Sequence, residues 1–134
     1  KWEYIHDSIG YNYRMPNLNA AILVAQLENL ETFLVKKREL SMTYKRFFSK
    51  TNFDFFEEPI HCKSNYWLNT IILDDIIQRD LFLNEAHSKG VMARPIWTLM
   101  NKLPIFKNAQ SAKLVNAEWF EDRAINIPSS VVVL

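Results

Sequence analysis

From Asn17 to Lys50 the chain contains neither glycine nor proline, so nothing in this segment forces a helix to stop. Pro16, directly before it, presets a helical backbone angle. Apolar side chains follow at approximately helical spacing, at Leu18, Ala21, Ile22, Ala25, Leu30 and Leu34. This pattern predicts one long helix over residues 17–50. At about 1.5 Å per residue such a helix is about 45 Å long, so we expect it to connect two parts of a larger molecule.

Downstream of this helix, strand and helix patterns alternate. Strand patterns lie at residues 53–56, 66–73, 91–97 and 125–128, and helix patterns lie at residues 79–89 and 114–123. Gly90 stands where a left-handed residue commonly ends a helix, and Pro95 interrupts the third strand. Strands mixed with helices in a short chain predict an α+β domain over residues 51–134, with the helices packed on one face of a small sheet.

The composition is typical of a globular chain, because 49% of its 134 residues are hydrophobic and 13% are aromatic. The formal net charge of +1 gives no electrostatic reason to expect nucleic acid or an anionic membrane as a partner. The longest apolar runs, such as residues 71–73 and 131–134, are too short to cross a bilayer. Cys62 is the only cysteine, and the sequence shows no secretory signal pattern. We therefore expect a soluble, cytoplasmic protein with a small-molecule or protein partner.

Both ends of the sequence predict continuation into further structure. Lys1 already lies in a segment dense in aromatic and polar side chains, and the last four residues, VVVL, are apolar. Residues 1–16 show neither a helical nor a strand period, which predicts an ordered loop of the kind that often carries functional residues. Gly10 and Gly90 are the only glycines, which excludes a glycine-rich phosphate-binding loop. Any phosphate group must therefore be bound by other means.

Several strings of residues occur in the order typical of one enzyme family: GYNYRMPNLNAA at residues 10–21, QL at 26–27, KRE at 37–39, RD at 79–80, KGV at 89–91, RP at 94–95, LPIFK at 103–107 and RAINIPSS at 123–130. On these strings the chain resembles the DegT/DnrJ/EryC1/StrS family of sugar aminotransferases over nearly its whole length. Tyr4, His6 and Asp7, with GYNYR and the RPIW string at 94–97, look most like members that aminate C4 of a nucleotide-linked 4-keto-6-deoxy sugar. These are in particular the legionaminic-acid and perosamine types.

The resemblance implies a fold-type I aminotransferase that depends on pyridoxal 5'-phosphate (PLP). By this resemblance the chain would be the small C-terminal α+β domain, with its connecting helix and, over residues 1–16, an active-site loop at the dimer interface. The resemblance also implies a homodimer with shared active sites, and transfer of an amino group from an amino acid, usually glutamate, to the sugar. The family's Schiff-base lysine lies upstream of the matched segment, and no lysine here matches its motif, so we expect the chain alone to be inactive. A non-catalytic dimerisation or regulatory module derived from the family is the alternative.

Two loop residues, Asn12 and Arg14, are candidate cofactor ligands. The resemblance assigns Asn12 to the phosphate of the cofactor in the neighbouring subunit, and Arg14 lies on the same side of an extended loop. Amide and guanidinium groups both offer N–H donors to anionic oxygens. The alternatives are that Asn12 satisfies its own backbone in a turn, and that Arg14 forms a structural ion pair with Glu3 or Asp7.

Arg94 and Trp97 are candidate substrate residues, because the resemblance places them in the stretch that approaches the nucleotide-sugar. Arg94 can pair with a diphosphate, and Trp97 can pack against a sugar or base. Pro95 restricts Arg94 to an extended conformation and so helps to set the direction of its guanidinium. The alternatives are a strand-end ion pair for Arg94 and a core position for Trp97. No metal site is predicted, because His61 and Cys62 lack a second pair of ligands.

Overall fold

The computed structural model describes residues 10–131. Over this range the helices are α1 (Asn17–Glu28), α2 (Leu30–Phe48), α3 (Ile76–Ser88) and α4 (Val115–Arg123), and the strands are β1 (Asp54–Phe55), β2 (Asn69–Ile72), β3 (Arg94–Pro95) and β4 (Ala124–Ile127). Two 3₁₀ turns, Met100–Lys102 and Pro104–Phe106, lie between β3 and α4. The strands and helices after α2 follow one another in the predicted order, and the α+β class is confirmed.

The chain divides into two compact units, Lys1–Glu31 and Thr32–Leu134. In the first unit α1 has no buried residue, and Leu18, at the start of its apolar stripe, is 71% exposed. The rings of Tyr11 and Tyr13, just before α1, have their centroids 6.1 Å apart. The second unit contains the sheet and the hydrophobic core.

The structure differs from the predicted single helix over residues 17–50, because α1 and α2 are separated at Asn29. The backbone of Asn29, with φ of −101° and ψ of 2°, leaves the helical region. Its side-chain amide donates a hydrogen bond to the carbonyl of Ala25 at 2.9 Å, and its N–H bonds to the carbonyl of Gln26 at 3.2 Å. Asparagine competes with the helical backbone in this way, so it interrupts a helix without any proline or glycine.

The helices α1 and α2 also bear on the question of membrane insertion. They have 12 and 19 residues, and neither is both long and apolar enough to cross a bilayer; nor is any other single helix among the residues described. Taken together across Asn29, the two helices are long and apolar enough to cross a bilayer, judged by length and composition alone.

The sheet formed within residues 10–131 has the strand order β1-β2-β4-β3, and its neighbouring strands are antiparallel. In the β2–β4 pair Ile71 lies opposite Ile125, and Asn69 lies opposite Ile127. Both Ile71 and Ile125 are 0% exposed, and they belong to the core cluster with Phe48 of α2. Apolar residues of α3 pack against the same cluster, namely Phe82, Leu83 and Ala86. The helices α2 and α3 therefore bury the apolar side of the two central strands.

The ends of α3 are set by Asp75 and Gly90. The carboxylate of Asp75 accepts the backbone N–H of Gln78 at 2.8 Å, so the helix begins at Ile76, ahead of the predicted start at residue 79. Gly90 has a φ of +75°, which is the left-handed conformation predicted for it. Both ends of the helix therefore depend on short-range interactions that the local sequence supplies.

Two strands are shorter than predicted, and this leaves two tryptophans outside the sheet. Strand β2 begins at Asn69, because Tyr66 has a left-handed φ of +46° that an extended strand does not accommodate. Strand β3 contains only two residues, since Pro95 has no N–H to donate to β4. Trp67 and Trp97 therefore lie in the segments that flank these strands.

Candidate functional site

A pocket of about 650 Å³ opens in the second unit, where the loop before β2, strand β3 and the chain after β4 come together. Its lining combines cationic, aromatic and polar side chains, including those of Trp67, Arg94, Trp97, Asn126, Ser129 and Ser130. Both predicted substrate residues therefore lie in the same pocket. A volume of several hundred Å³ is typical of small-molecule sites.

Arg94 lies on β3, where it pairs with Asn126 of β4 in the strand register. Its side chain is exposed, and among residues 10–131 its guanidinium has no hydrogen-bond or ion-pair partner. The strand-end ion pair considered above is thus not formed within the described residues. A guanidinium in this position can bind two anionic oxygens at once, because its donors form a rigid planar fork.

Trp97 stacks against Trp67, with ring centroids 6.1 Å apart and an angle of 28° between the ring planes. Trp97 is 68% exposed and Trp67 is 64% exposed, so neither is a core residue. Such a pair offers a large aromatic surface on which a sugar or base can pack. The sequence did not identify Trp67 as a candidate site residue, because it lies within the strand predicted over residues 66–73 and was assigned to that strand. The signal available was weak, since an aromatic residue near the end of a strand pattern is common.

The loop that precedes Trp67 is held by Arg38 of α2. Arg38 forms an ion pair with Glu58, with 2.5 Å between Nη2 and Oε1, and donates from Nη1 to the carbonyl of Ser64 at 2.5 Å. Glu58 accepts the N–H of Ser64 at 2.6 Å, and the guanidinium lies 5.4 Å from the ring centroid of Tyr66. The hydrogen bond from Arg38, helped by the N–H of Ser64, lowers the pKa of the Glu58 carboxyl. These contacts order the loop directly before the tryptophan.

The segment after β4 is fixed by hydrogen bonds from two other elements. The hydroxyl of Tyr44 on α2 donates to the carbonyl of Pro128 at 2.8 Å, and burial raises the pKa of this phenol. The hydroxyl of Ser129 accepts the N–H of Asn69 at 2.8 Å and donates to the carbonyl of Ile127 at 2.7 Å. Asn69 is only 1% exposed, so this wall of the pocket is joined directly to the core.

The chain after Trp97 is joined to α4 through Glu121. The buried carboxylate of Glu121 accepts the backbone N–H of Leu99 at 3.0 Å and forms an ion pair with Lys102. Burial by itself raises the pKa of this carboxyl, but the hydrogen bonds from Lys102 and Leu99 outweigh burial, so the pKa lies below its usual value. Arg79 of α3 donates to the backbone carbonyl of Glu121 at 2.6 Å. The loop that leaves the pocket is therefore tied to α4, and α4 is in turn joined to α3.

In the first unit Asn12 and Arg14 contact each other. The side-chain oxygen of Asn12 accepts the backbone N–H of Arg14 at 3.1 Å and its Nε–H at 3.4 Å, and both residues are exposed. This local hydrogen bonding agrees with the alternative in which Asn12 satisfies the backbone of its own turn. It engages only the oxygen of the amide, so the NH₂ group has no partner within residues 10–131 and keeps two donors. Glu3 and Asp7, the ion-pair alternatives for Arg14, lie outside the described residues.

The remaining sequence candidates lie partly outside the described residues. Tyr4, His6 and Asp7 lie outside the described residues. Within residues 10–131 no group of three or more His, Cys, Asp or Glu side chains is placed to hold a metal ion. Cys62 is exposed and not in a disulfide. The second unit therefore offers a cationic and aromatic pocket, and the first unit offers amide and guanidinium donors.

The model of the DegT/DnrJ/EryC1/StrS aminotransferase family matches residues 1–133. The chain therefore belongs to this family, and the resemblance carried by its sequence strings is confirmed. Members of the family depend on PLP.

The chain is 32% identical over 129 residues to the GDP-perosamine synthase of Vibrio cholerae, covering 94% of this chain and 35% of that protein. Solved structures with the same fold include Helicobacter pylori PseC, an aminotransferase involved in the biosynthesis of pseudoaminic acid. The match to PseC has a TM-score of 0.80 and 24% identity, and it covers 96% of this chain and 36% of that chain. Another is the PLP form of Spr1654 from Streptococcus pneumoniae, with a TM-score of 0.82, 18% identity and coverage of 100% and 36%. These structures confirm the predicted fold class. The chain spans about a third of the length of the relatives it matches.

Proposed function

We propose that this chain is the C-terminal part of an aminotransferase that transfers an amino group from glutamate to the 4-keto carbon of a nucleotide-linked 4-keto-6-deoxy sugar. The proposal is carried by the pocket that contains the stacked pair Trp67 and Trp97 together with the guanidinium of Arg94, which has no partner among the described residues. Membership of the family supports the reaction class, and the similarity to a GDP-perosamine synthase supports the kind of sugar. Because the chain spans about a third of such relatives, the complete reaction belongs to a longer protein.

In this proposal the pocket residues bind the nucleotide-sugar. Arg94 pairs with the diphosphate, since its guanidinium faces no competing carboxylate among the described residues. Trp97 and Trp67 pack against a ring of the substrate and mainly supply shape. The hydroxyl of Thr70 donates to the side-chain oxygen of Asn126 at 2.8 Å, which leaves the amide NH₂ of Asn126 as a further donor in the pocket.

Asn12 and Arg14 suit the phosphate of PLP. The oxygen of the Asn12 amide already accepts from Arg14, so the groups that remain for a ligand are N–H donors, as an anion requires. We propose that these two residues hold the cofactor phosphate of the neighbouring subunit, in a homodimer with shared active sites. When bound, PLP supplies an electron sink for the reaction at the amino-bearing carbon.

The chain alone is proposed not to transaminate. None of its lysines matches the family's cofactor-binding lysine motif, and two of the three lysines on α2 are engaged elsewhere: Lys37 bonds backbone carbonyls and Lys45 pairs with Glu57. The longer protein is proposed to work in the cytoplasm, where an exposed thiol such as that of Cys62 is kept reduced.

The test uses the longer protein purified with PLP. We expect an absorbance band of bound cofactor that changes when glutamate is added and returns when the nucleotide-linked keto-sugar follows, with the amino-sugar detected by mass spectrometry. In the 134-residue chain alone, borohydride reduction in the presence of PLP should leave no stoichiometric adduct on any lysine.

Two results would contradict this proposal. One is a longer protein that binds no PLP, which together with dimer formation would support the non-catalytic module instead. The other is a stoichiometric lysine adduct in the chain alone, because it would place a cofactor-binding lysine inside the matched segment.

A further inference from the structure

Lys37 of α2 bonds to both walls of the pocket. Its Nζ donates to the carbonyl of Ser129 at 2.8 Å, to that of Trp67 at 3.1 Å and to that of Tyr66 at 3.5 Å. Ser129 and Trp67 line the pocket from segments that lie far apart in sequence. One ammonium group therefore joins the loop before β2 to the chain after β4.

This arrangement suits an ammonium group, which has three donors and no acceptor. Lys37 is half-buried, and its removal from water lowers the pKa of the ammonium. Carbonyl oxygens therefore replace the water that the charge has lost, and hydrogen bonds from a charged donor are about twice as strong as neutral ones. Lys45, on the same helix, differs, because it pairs with Glu57 at an exposed position, 2.5 Å between Nζ and Oε2.

We propose that Lys37 is a positioning residue for the pocket: by bonding the carbonyls of Trp67 and Ser129 it sets the separation of the two walls and the stacking of Trp67 on Trp97. Lys37 does not line the pocket, so it acts through the walls and not on the ligand. The inference rests on the proposed function for the identity of the ligand, whereas the placement of the tryptophans is a property of this chain.

The placement is tested by selective ¹⁵N labelling of tryptophan and the NMR signals of the indole N–H groups. In a Lys37→Met variant the signals of Trp67 and Trp97, assigned with Trp→Phe variants, should move or broaden, because the stacked rings no longer hold their geometry. The signal of Trp119, which contacts Arg123 away from the pocket, should stay in place. Lys45→Met is the matched control and should leave all these signals unchanged.

The effect on the substrate is tested in the longer protein by measuring the two half-reactions separately. Lys37→Met should raise the KM for the nucleotide-sugar about tenfold or more, and leave the glutamate half-reaction within about twofold. Lys37→Arg keeps a cationic donor and should recover part of the loss. A merely structural lysine would instead impair both half-reactions together.

Unmoved indole signals in a folded Lys37→Met variant would overturn the proposal, and so would equal losses in both half-reactions. If Lys37→Met does not fold, the same NMR measurement is made on Lys37→Gln, whose amide keeps two donors. Smaller shifts of the Trp67 and Trp97 signals in this variant support the proposal, and unchanged signals overturn it. If the unaltered protein reacts with no nucleotide-sugar, the proposed function fails, and the indole signals alone decide the role of Lys37.

Discussion

The two units of the chain differ in how far their apolar side chains are buried. In the second unit Ile71 and Ile125 are fully buried, since α2 and α3 supply the partners that cover them. In the first unit α1 has the same kind of apolar residues but none is buried. An apolar helical stripe thus predicts a helix in both units, but among the described residues only those of the second unit supply a surface that covers it.

The same difference separates the two pairs of candidate site residues. Arg94 and Trp97 lie on a scaffold whose loops are tied to the core through Asn69 and to α4 through Glu121. Asn12 and Arg14 are exposed and hold each other through local hydrogen bonds. The chain itself therefore determines the geometry of the pocket that we propose for the substrate, whereas the proposed cofactor role of the loop depends on the partner subunit that we also propose.

The largest expected effect contrasts the two units in stability. Ile125→Ala removes a fully buried side chain from the sheet core and should lower the free energy of unfolding by about 2–5 kcal/mol. Leu18→Ala, on the exposed stripe of α1, should change it by no more than about 0.5 kcal/mol. Urea denaturation of both variants gives the comparison. A comparable loss in Leu18→Ala would show that α1 is covered and would end the contrast.

The next effect concerns the loop residues of the first unit. In the longer protein, Asn12→Ala should weaken PLP retention by about 1.5–3 kcal/mol, because it removes a hydrogen bond to a charged group. Cofactor affinity is measured by equilibrium dialysis followed by absorbance. Asn108→Ala, an exposed asparagine of the second unit, is the control and should have no effect. Equal affinity in Asn12→Ala and the unaltered protein would leave Asn12 with its turn role alone.

A smaller effect tests the loop that follows Trp97. Glu121→Gln should lower the free energy of unfolding at neutral pH by about 1–2 kcal/mol, because the charged partner of Lys102 is lost. The pKa of Glu121 is lowered in the folded state, so its contribution is complete above the unfolded value of about 4.3 and is lost as the pH falls through the folded pKa.

Urea denaturation between neutral and acidic pH checks this prediction. The variant should lose less stability on acidification than the unaltered chain, whereas Glu39→Gln, at an exposed position, should follow the unaltered chain. Identical pH profiles for Glu121→Gln and the unaltered chain would show that the ion pair between Glu121 and Lys102 does not hold this loop.

Much of the second unit was predictable because its signals are local. The order of strands and helices follows from short apolar patterns, and the end of α3 follows from the need for a left-handed residue, which Gly90 meets with a φ of +75°. The break at Asn29 was not predictable from periodicity, since it depends on a side chain that competes with its own backbone.

The pocket was predictable only in part. Arg94 and Trp97 were identified because the family's motifs contain them, and the structure places both in one cavity. Trp67 and Lys37 were not identified, because their roles arise from contacts between segments far apart in sequence. Lys37 bonds to Ser129, which is 92 residues away in the sequence, and no pattern along the chain specifies such a contact.

The most direct test of the pocket that we propose for the substrate is the nucleotide-sugar half-reaction of Arg94→Lys in the longer protein, measured in single turnovers. Lysine keeps the charge but loses the bidentate geometry, so we expect the apparent Kd for the nucleotide-sugar to rise about tenfold while the glutamate half-reaction is unchanged. Arg46→Lys is the control, because Arg46 is exposed and, among the described residues, its guanidinium bonds only to the hydroxyl of Thr43 on its own helix. An unchanged sugar half-reaction in Arg94→Lys, or equal losses in both half-reactions with reduced folding stability, would contradict the assignment of this pocket to the nucleotide-sugar.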